Sequence, residues 1–498
     1  MGFTPCAYHM LKIRSVKTAS GARAIQVVEY VKRKVKMRLH VGSAHTTDEE
    51  QALIRTASKW IERTGRQPAL FPSPGRSGLD EYRYVGIRHT FIHECLHALL
   101  ARFGFAALGD TLFHDLIIIR IIEPASKLRS IALIEEYFGI RHRRLDFYRH
   151  LRKYLACKAA AERSAIAIAT KEFAFDFSIV FYDVTTLYFE TFKSDALRKP
   201  GFSKDGKPMQ PQIMLAIVVT KEGFPVSYDI FPGNTFEGHT IIPVIRTLQK
   251  KHGIKTLTVV ADAAMISAAN IEEMQKHKLR YIVGARVGTL DLTAISATLR
   301  GRDGGTMRTK TKLGRLVCHF SQKRYAKDKR EMEQQLARAQ QLVQTPGKVK
   351  RAKFLKMEGV SYALNEELLE KTKLRLGIKG YYTNLGDEWS DYAIVERYRD
   401  LWRIEQAFRV SKHDLATRSI YHFKEDPIRV HALVCFMALA ISKYIEIKTG
   451  LSIKRIVDAL MRVTDVTLQH AHTREENTLR SPLSSEIKSI LENLRLSH

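Results

Sequence analysis

The sequence predicts an α/β fold preceded by a mostly helical region, and three observations carry that expectation. Apolar runs rich in β-branched and aromatic residues at 178–190, 214–219, 226–231, 257–261 and 281–285 read as strands, punctuated by Gly223, Pro225, Pro232 and Gly233. From about 86 to 155, Leu, Ile and Phe instead recur at three- and four-residue spacing, as helices require. A later strand signal at 380–384 leads into a long helix from about 391 to 415. Strands followed by strands interleaved with helices indicate an α/β or α+β core.

Taken in order, residues 1–70 form a small basic β/α unit. Positions 24–41 alternate Ile25, Val27 and Val31 with Lys32, Arg33 and Lys34, as a half-exposed hairpin does, and a helix follows from about 47 to 63, capped by Thr46 with Glu49 three residues on. Residues 80–160 are the helical region, 170–298 the first part of the core, and 299–378 a basic insertion. Within 299–357, 17 basic residues stand against 4 acidic ones, around a polar helical stretch at 326–343. Residues 379–440 return to the core and 441–498 read as a helical tail. No internal repeat is visible.

At 498 residues the chain exceeds what one hydrophobic core usually supports. Lysine and arginine total 81 against 52 acids, and a formal charge of +29 gathers polyanions, nucleic acid first among them. Cys6, Cys95, Cys157, Cys318 and Cys435 are scattered and never form a Cys-x-x-Cys pair, which argues against a disulfide framework or thiolate zinc site and fits a reducing cytoplasm. The most apolar later run, 430–442, is too short to span a bilayer, so a soluble, unexported protein with no membrane partner is expected.

Two aspartates stand out. Asp183 lies inside the apolar strand Ile179-Val180-Phe181-Tyr182-Asp183-Val184, where an ionised carboxylate is costly without a cation or donor. Asp262 ends a second apolar strand, Leu257 through Ala261, and strand ends of an α/β sheet are where sites assemble. Either alone is more readily an ordinary cap or turn residue than a ligand, whereas the pair is harder to explain that way. A third carboxylate, Glu405, lies on a helix where Tyr398, Trp402, Glu405, Arg409 and Lys412 are separated by four, three, four and three residues and so share one face. The neighbouring stripe, Leu401, Ile404, Phe408 and Leu415, is the apolar one expected to pack on the sheet. A glutamate among Tyr, Trp, Arg and Lys suits a carboxylate aimed at a metal with phosphate-binding groups around it, while an i,i+4 Glu405–Arg409 pair on a solvated face is the plainer alternative.

The series Phe181-Tyr-Asp-Val-Thr-Thr-Leu-Tyr-Phe-Glu, Gly201-Phe-Ser-Lys-Asp-Gly-Lys-Pro, Phe231-Pro-Gly-Asn, Val260-Ala-Asp and Leu401-Trp-Arg-Ile-Glu-Gln-Ala-Phe-Arg resembles the DDE transposases of bacterial insertion sequences over about 177–436. A weaker likeness extends to Arg120-Ile-Ile-Glu-Pro-Ala-Ser-Lys. The branch it resembles carries a Tyr-x2-Arg-x3-Glu-x6-Lys helix. Tyr398, Glu405 and Lys412 fall on that pattern, but its arginine position is Leu401, for which Arg403 or Arg409 is the candidate substitute.

The resemblance implies an RNase H-like catalytic core, with Asp183 on its first strand, Asp262 after its fourth and Glu405 on a later helix. It also implies a basic insertion before that helix and a mostly helical N-terminal DNA-binding region. Two Mg2+ ions, with Mn2+ able to substitute, would be held about 3.5 to 4 Å apart by the three carboxylates, as in-line phosphoryl displacement at two-metal sites requires. Tyr398, Trp402, Arg403, Arg409, Lys412 and Lys204 are the expected DNA contacts. The partners it implies are the terminal inverted repeats of its own element and target DNA, bound by a homodimer or higher multimer in the cytoplasm, at the nucleoid.

Two other readings stand beside this one: a catalytically inactive DNA-binding regulator derived from a transposase, and a zinc metalloprotease, because His93-Glu94-Cys95-Leu96-His97 matches a His-Glu-x-x-His pattern. No third ligand accompanies that pattern. Residues 201–208 lack the Gly-Lys-Ser/Thr ending of a nucleotide loop and read as a hairpin loop near DNA. Asn234 and His239, after a strand, fit a site-facing role or a plain turn equally.

Overall fold

The computed structural model describes the chain except residues 1–10, 32–33, 65–81, 203–208, 264–266, 287–291, 345–351, 359–360, 416–419, 421 and 498. Two compact units are formed, Met1–Phe91 with Met461–Leu483, and Ile92–Leu460 with Ser484–His498.

In the first unit, β1 (Leu11–Lys17), β2 (Arg23–Val31) and β3 (Lys34–Ala44) make an antiparallel sheet. The alternation predicted for 24–41 buries Ile25 and Val27 fully, against Leu53 and Ala57 of α1 (Thr47–Thr64). That helix opens on the expected reciprocal cap: the Glu49 amide donates to Thr46 Oγ1 at 3.3 Å, and the Glu49 carboxylate accepts from the His45 amide at 2.8 Å. Such a cap contributes about 1 kcal/mol. Further along, β4 (Tyr82–Arg88) pairs with β15 (Asp465–His470), which pairs with β16 (Glu476–Arg480). The helical readings of residues 86–88 and of the whole 441–498 tail are therefore corrected. Both segments contain strands that find partners far away in sequence, a tertiary pairing that overrides local periodicity.

The second unit opens with six helices: α2 (Thr90–Arg102), α3 (Thr111–Ile122), α4 (Lys127–Phe138), α5 (Arg144–Arg149), α6 (Leu151–Ala156) and α7 (Lys158–Phe173). The sheet then begins with an antiparallel meander of β5 (Ile179–Tyr188), β6 (Gln212–Val219) and β7 (Pro225–Pro232). Helix α8 (Gly238–His252) leads to β8 (Thr258–Ala261), parallel to β5, and α9 (Ala268–Lys276) leads to β9 (Arg280–Ala285), parallel to β8. All five strands are legible as apolar runs because both faces of this sheet are covered: Val180, Phe181, Ala216, Val259 and Ile282 are fully buried, each contributing on the order of 1–3 kcal/mol.

After α10 (Leu292–Leu299) come β10 (Thr306–Thr311) and β11 (Gly314–Phe320), then α11 (Gln322–Gln344), β12 (Leu355–Glu358), β13 (Ser361–Leu364) and α12 (Glu366–Arg375). Strand β14 (Ile378–Thr383) lies between β9 and β11, completing an eight-stranded mixed sheet of order β10-β11-β14-β9-β8-β5-β6-β7. The predicted insertion is thus not wholly separate. Its β10–β11 hairpin widens the main sheet, and only the part built around Met332, Ala339, Phe354 and Leu376 has its own small core. Alternating charge hides β10, whose Arg308, Thr309 and Lys310 are exposed at the sheet edge.

The predicted long helix 391–415 is broken into α13 (Asp391–Arg399), α14 (Trp402–Arg409) and one π-helical turn, Val410–Asp414. Between the two helices the bonds tighten to i→i−3, with Leu401 N on Tyr398 O, Arg403 N on Asp400 O and Ile404 N on Leu401 O. Helices α15 (Glu425–Thr449), α16 (Ile453–Met461) and α17 (Ser485–Leu494) follow. The apolar run at 430–442 belongs to the 25-residue α15, which by length and composition could cross a membrane, a correction to the expectation that it is too short; its most apolar window is 89% buried inside the protein, against α3, α6 and β7.

Candidate active site

Sheet register brings Asp183 and Asp262 together. Strands β5 and β8 are adjacent and parallel, with Tyr182 opposite Ala261, so the next residue on each is an aspartate. Parallel strands lie about 4.8 Å apart, and residues at one register share a face. The two carboxylates are held alike: Asp183 Oδ1 accepts from the Val184 amide and Asp262 Oδ1 from the Ala263 amide, both at 2.7 Å. Asp183 is half-buried and Asp262 is open to solvent, so the sheet presents one enclosed and one accessible carboxylate.

Glu405 reaches the same neighbourhood through α14. Leu401, Ile404, Phe408 and Leu415 are buried, as their stripe predicted, and α14 packs on β5. The β6–β7 turn fits closely beneath it: Gly223, at φ +83°, comes so near that a Cβ there would stand 3.1 Å from the Arg403 carbonyl oxygen. Glu405 itself is exposed in the first turn of α14, where the helix dipole favours an anion.

Lys379 of β14 adds a positive charge in the electrostatic range of two of the carboxylates, and the sequence did not single it out. It is half-buried, with Nζ 4.5 Å from the Tyr398 ring centre. Burial and Arg324 push its pKa below the ordinary lysine value, while Asp262 and Glu405 pull it back up. A lysine in the strand Ile378-Lys-Gly-Tyr-Tyr-Thr is the same signal that singled out Asp183, a charge inside an apolar strand. Beyond Lys379 a cleft of about 550 Å3 runs past Arg286, Arg324, Lys353 and Arg375.

The face predicted from helical counting is divided by the break at Asp400–Leu401. Trp402, Glu405 and Arg409 remain outward, but Tyr398 is 3% exposed and its hydroxyl donates to Asp262 Oδ1 at 2.9 Å. The expected DNA contact at Tyr398 is corrected to a buried support for Asp262, because the i→i−3 turn rotates α13 away from the phase of α14. Burial, the Asp262 charge and that bond raise the tyrosine pKa far above its usual value. Tyr398→Phe should accordingly lower activity about tenfold while costing the fold no more than about 1.5 kcal/mol, as turnover assays and denaturant titration would measure. Arg403 is half-buried, 3.5 Å from Asp400 Oδ1 and against the Trp402 ring. Lys204 lies outside the described residues, as does the Lys412 side chain.

The His-Glu-x-x-His stretch does not form a metal site. His93 Nε2 pairs with Asp115 Oδ1 at 2.7 Å, and His142 Nε2 with Asp115 Oδ2 at 2.6 Å, so a buried aspartate rather than a zinc ion holds His93. Among the described residues no three acid, histidine or cysteine side chains stand close enough to hold a metal ion, so Asp183, Asp262 and Glu405 are neighbours spaced more widely than three ligands of one ion. The donor set nonetheless suits a hard divalent cation. All three groups are carboxylates, the hard oxygen donors that such a cation takes.

Residues 174–441 match the family described as Transposase DDE domain. No curated protein matches the chain. Among solved structures, a piggyBac transposase synaptic complex with hairpin DNA is 11% identical, with 75% of this chain and 77% of that one covered, at a TM-score of 0.38. A Mos1 transposase paired-end complex with left transposon end is 16% identical over 46% and 66% of the two chains, at a TM-score of 0.16. The Mos1 mariner paired-end complex with Mn is 15% identical over 46% and 67%, at 0.15.

Proposed function

The chain belongs to the family of transposase DDE domains, and on that premise we propose that it cuts DNA beside the ends of its own insertion sequence and joins the freed 3′-hydroxyls to target DNA, within a bacterial cell. The observation that supports this most is the register of β5 and β8, which sets Asp183 beside Asp262, while α14, the helix of Glu405, packs on β5. The same order, first strand between second and fourth, is what an RNase H-like core with Asp183 on its first strand and Asp262 after its fourth requires.

In this reading Asp183, Asp262 and Glu405 hold divalent ions, Mg2+ by preference and two per site. Bound there, such ions supply charge stabilisation for the attacking and leaving oxygens of an in-line displacement. The protein's own contribution is positional. The Val184 and Ala263 amides and the Tyr398 hydroxyl fix the two aspartates, and α14 carries Glu405 to them. Trp402 and Arg409, exposed on the glutamate face, and the cationic cleft beyond Lys379 are the surfaces for DNA, whose backbone phosphates attract Arg and Lys irrespective of sequence. The basic sheet and helices before the core are proposed to read the element ends, as a homodimer or larger assembly at the nucleoid.

The test is a purified full chain with a plasmid carrying the element's ends. Nicking or joining with Mg2+ or Mn2+, lost on chelation, is the expected result. Tight DNA binding with no cleavage under either ion would instead favour the inactive regulator.

A further inference from the structure

A second cationic pocket lies in the helical part of the larger unit, at the start of α4, and the catalytic reading gives it no role. Arg120, Ser126, Lys127, Phe147, His422 and His431 line a cavity of about 30 Å3. That is more than the roughly 10–15 Å3 that admits one water. Arg120 is 7% exposed; Nη2 donates to the Ala125 carbonyl at 3.0 Å, yet Nε has no hydrogen-bond partner among the described residues. The Lys127 ammonium is buried and, among the described residues, equally without a hydrogen-bond acceptor. It rests against the rings of Phe147 and Tyr148, 3.5 and 4.0 Å from their centres. Among the described residues no carboxylate lines the cavity.

Two buried cations with no counter-charge among the described residues destabilise a fold unless an anion completes them. The first turn of the 12-residue α4, capped by Ser126, adds the partial positive charge of its amides from the same side. We propose that this pocket is a phosphate-binding site, taking one tetrahedral oxyanion between Arg120, Lys127 and the first turn of α4. The stretch Arg120-Ile-Ile-Glu-Pro-Ala-Ser-Lys127 thereby acquires a chemical role, with its two ends supplying the two cations. The phosphate group is a diester of a DNA strand or a free phosphate, which share anionic non-bridging oxygens on a tetrahedral phosphorus.

The surrounding charges agree with an anion site. Burial and Arg144 push Lys127 down to about 7, and burial with Lys127 and Arg120 pushes His422 down to about 4, so that imidazole is neutral at pH 7. His431 is the other titratable lining group, its ring 5.8 Å from that of His422. A bound oxyanion returns the proton to Lys127, so affinity falls as pH rises through 7.

Calorimetric titration of the full chain with inorganic sulfate, whose charge is constant between pH 6 and 8, tests this directly. One site is expected, about tenfold weaker at pH 8 than at pH 6. It should be at least about tenfold weaker in Lys127→Met, a variant that keeps the apolar stem against Phe147 and Tyr148 and whose folding is checked by a thermal melt. A short duplex distinguishes the sources. If Lys127→Met also lowers duplex affinity and its salt dependence by about one counterion, the ligand is a strand phosphate; unchanged duplex binding assigns a free phosphate. Absence of a sulfate site in the parent chain, or equal affinity in the folded variant, overturns the proposal. Neither arm involves DNA cleavage, so its failure and that of the catalytic reading are separable.

Discussion

Asp183→Asn is expected to lower metal-dependent cleavage on the order of 10³-fold while leaving DNA binding and folding intact. The substitution keeps size and shape, and the amide oxygen can still accept from the Val184 amide, so the local hydrogen bond survives. What disappears is one full negative charge beside Asp262. A pair of carboxylates on neighbouring strands attracts a divalent cation far more strongly than a single one, and the half-buried setting of Asp183 strengthens that attraction by excluding water. Gel assays of nicking and joining, run beside a thermal melt and a binding isotherm, measure all three quantities. Activity within tenfold of the parent would remove Asp183 from the metal site.

Gly284→Ala should be nearly as damaging, by about 10²-fold, although it changes no charge. A Cβ on Gly284 would stand 2.5 Å from the Tyr398 hydroxyl, 2.9 Å from Ala263 Cβ and 3.0 Å from the Ala263 amide nitrogen. Both neighbours hold Asp262, one by donating its hydroxyl and the other its amide. Neither can yield without moving the carboxylate, and the overpacking costs about 1–3 kcal/mol of stability as well. Comparison with Tyr398→Phe separates the causes. Loss of one hydrogen bond accounts for about tenfold, and a larger loss in Gly284→Ala reports displacement of the backbone after β8. A Gly284→Ala protein as active as Tyr398→Phe would show that the close approach at β9 is incidental.

Much of the fold is legible in the sequence because the sheet is covered on both faces. Strands β5 to β9 are nearly continuous apolar runs, and in such a run a charged residue is conspicuous, which is how Asp183 stands out. Lys379 carries the same signal in β14, but a lysine that closely follows a lysine- and arginine-rich segment contrasts little with its surroundings. The hairpin of β15 and β16 is hidden for a different reason. Its residues alternate weakly, and their partner β4 lies at the other end of the chain. Helical counting misplaces Tyr398 because periodicity assumes an unbroken helix, whereas the i→i−3 turn at 398–404 turns that ring inward.

By itself the sequence determined the apolar strands, the helical region before them, the reciprocal cap of α1 and three carboxylates in contexts that packing alone does not explain. These depend on neighbours within a few residues, where side-chain period and local hydrogen bonding suffice. Only the tertiary structure decided that Asp183 and Asp262 are adjacent, that Lys379 lies against the Tyr398 ring, and that Tyr398 supports rather than faces outward. Each of these follows from strand order, register and one tightened turn, which are set by long-range burial rather than by local pattern.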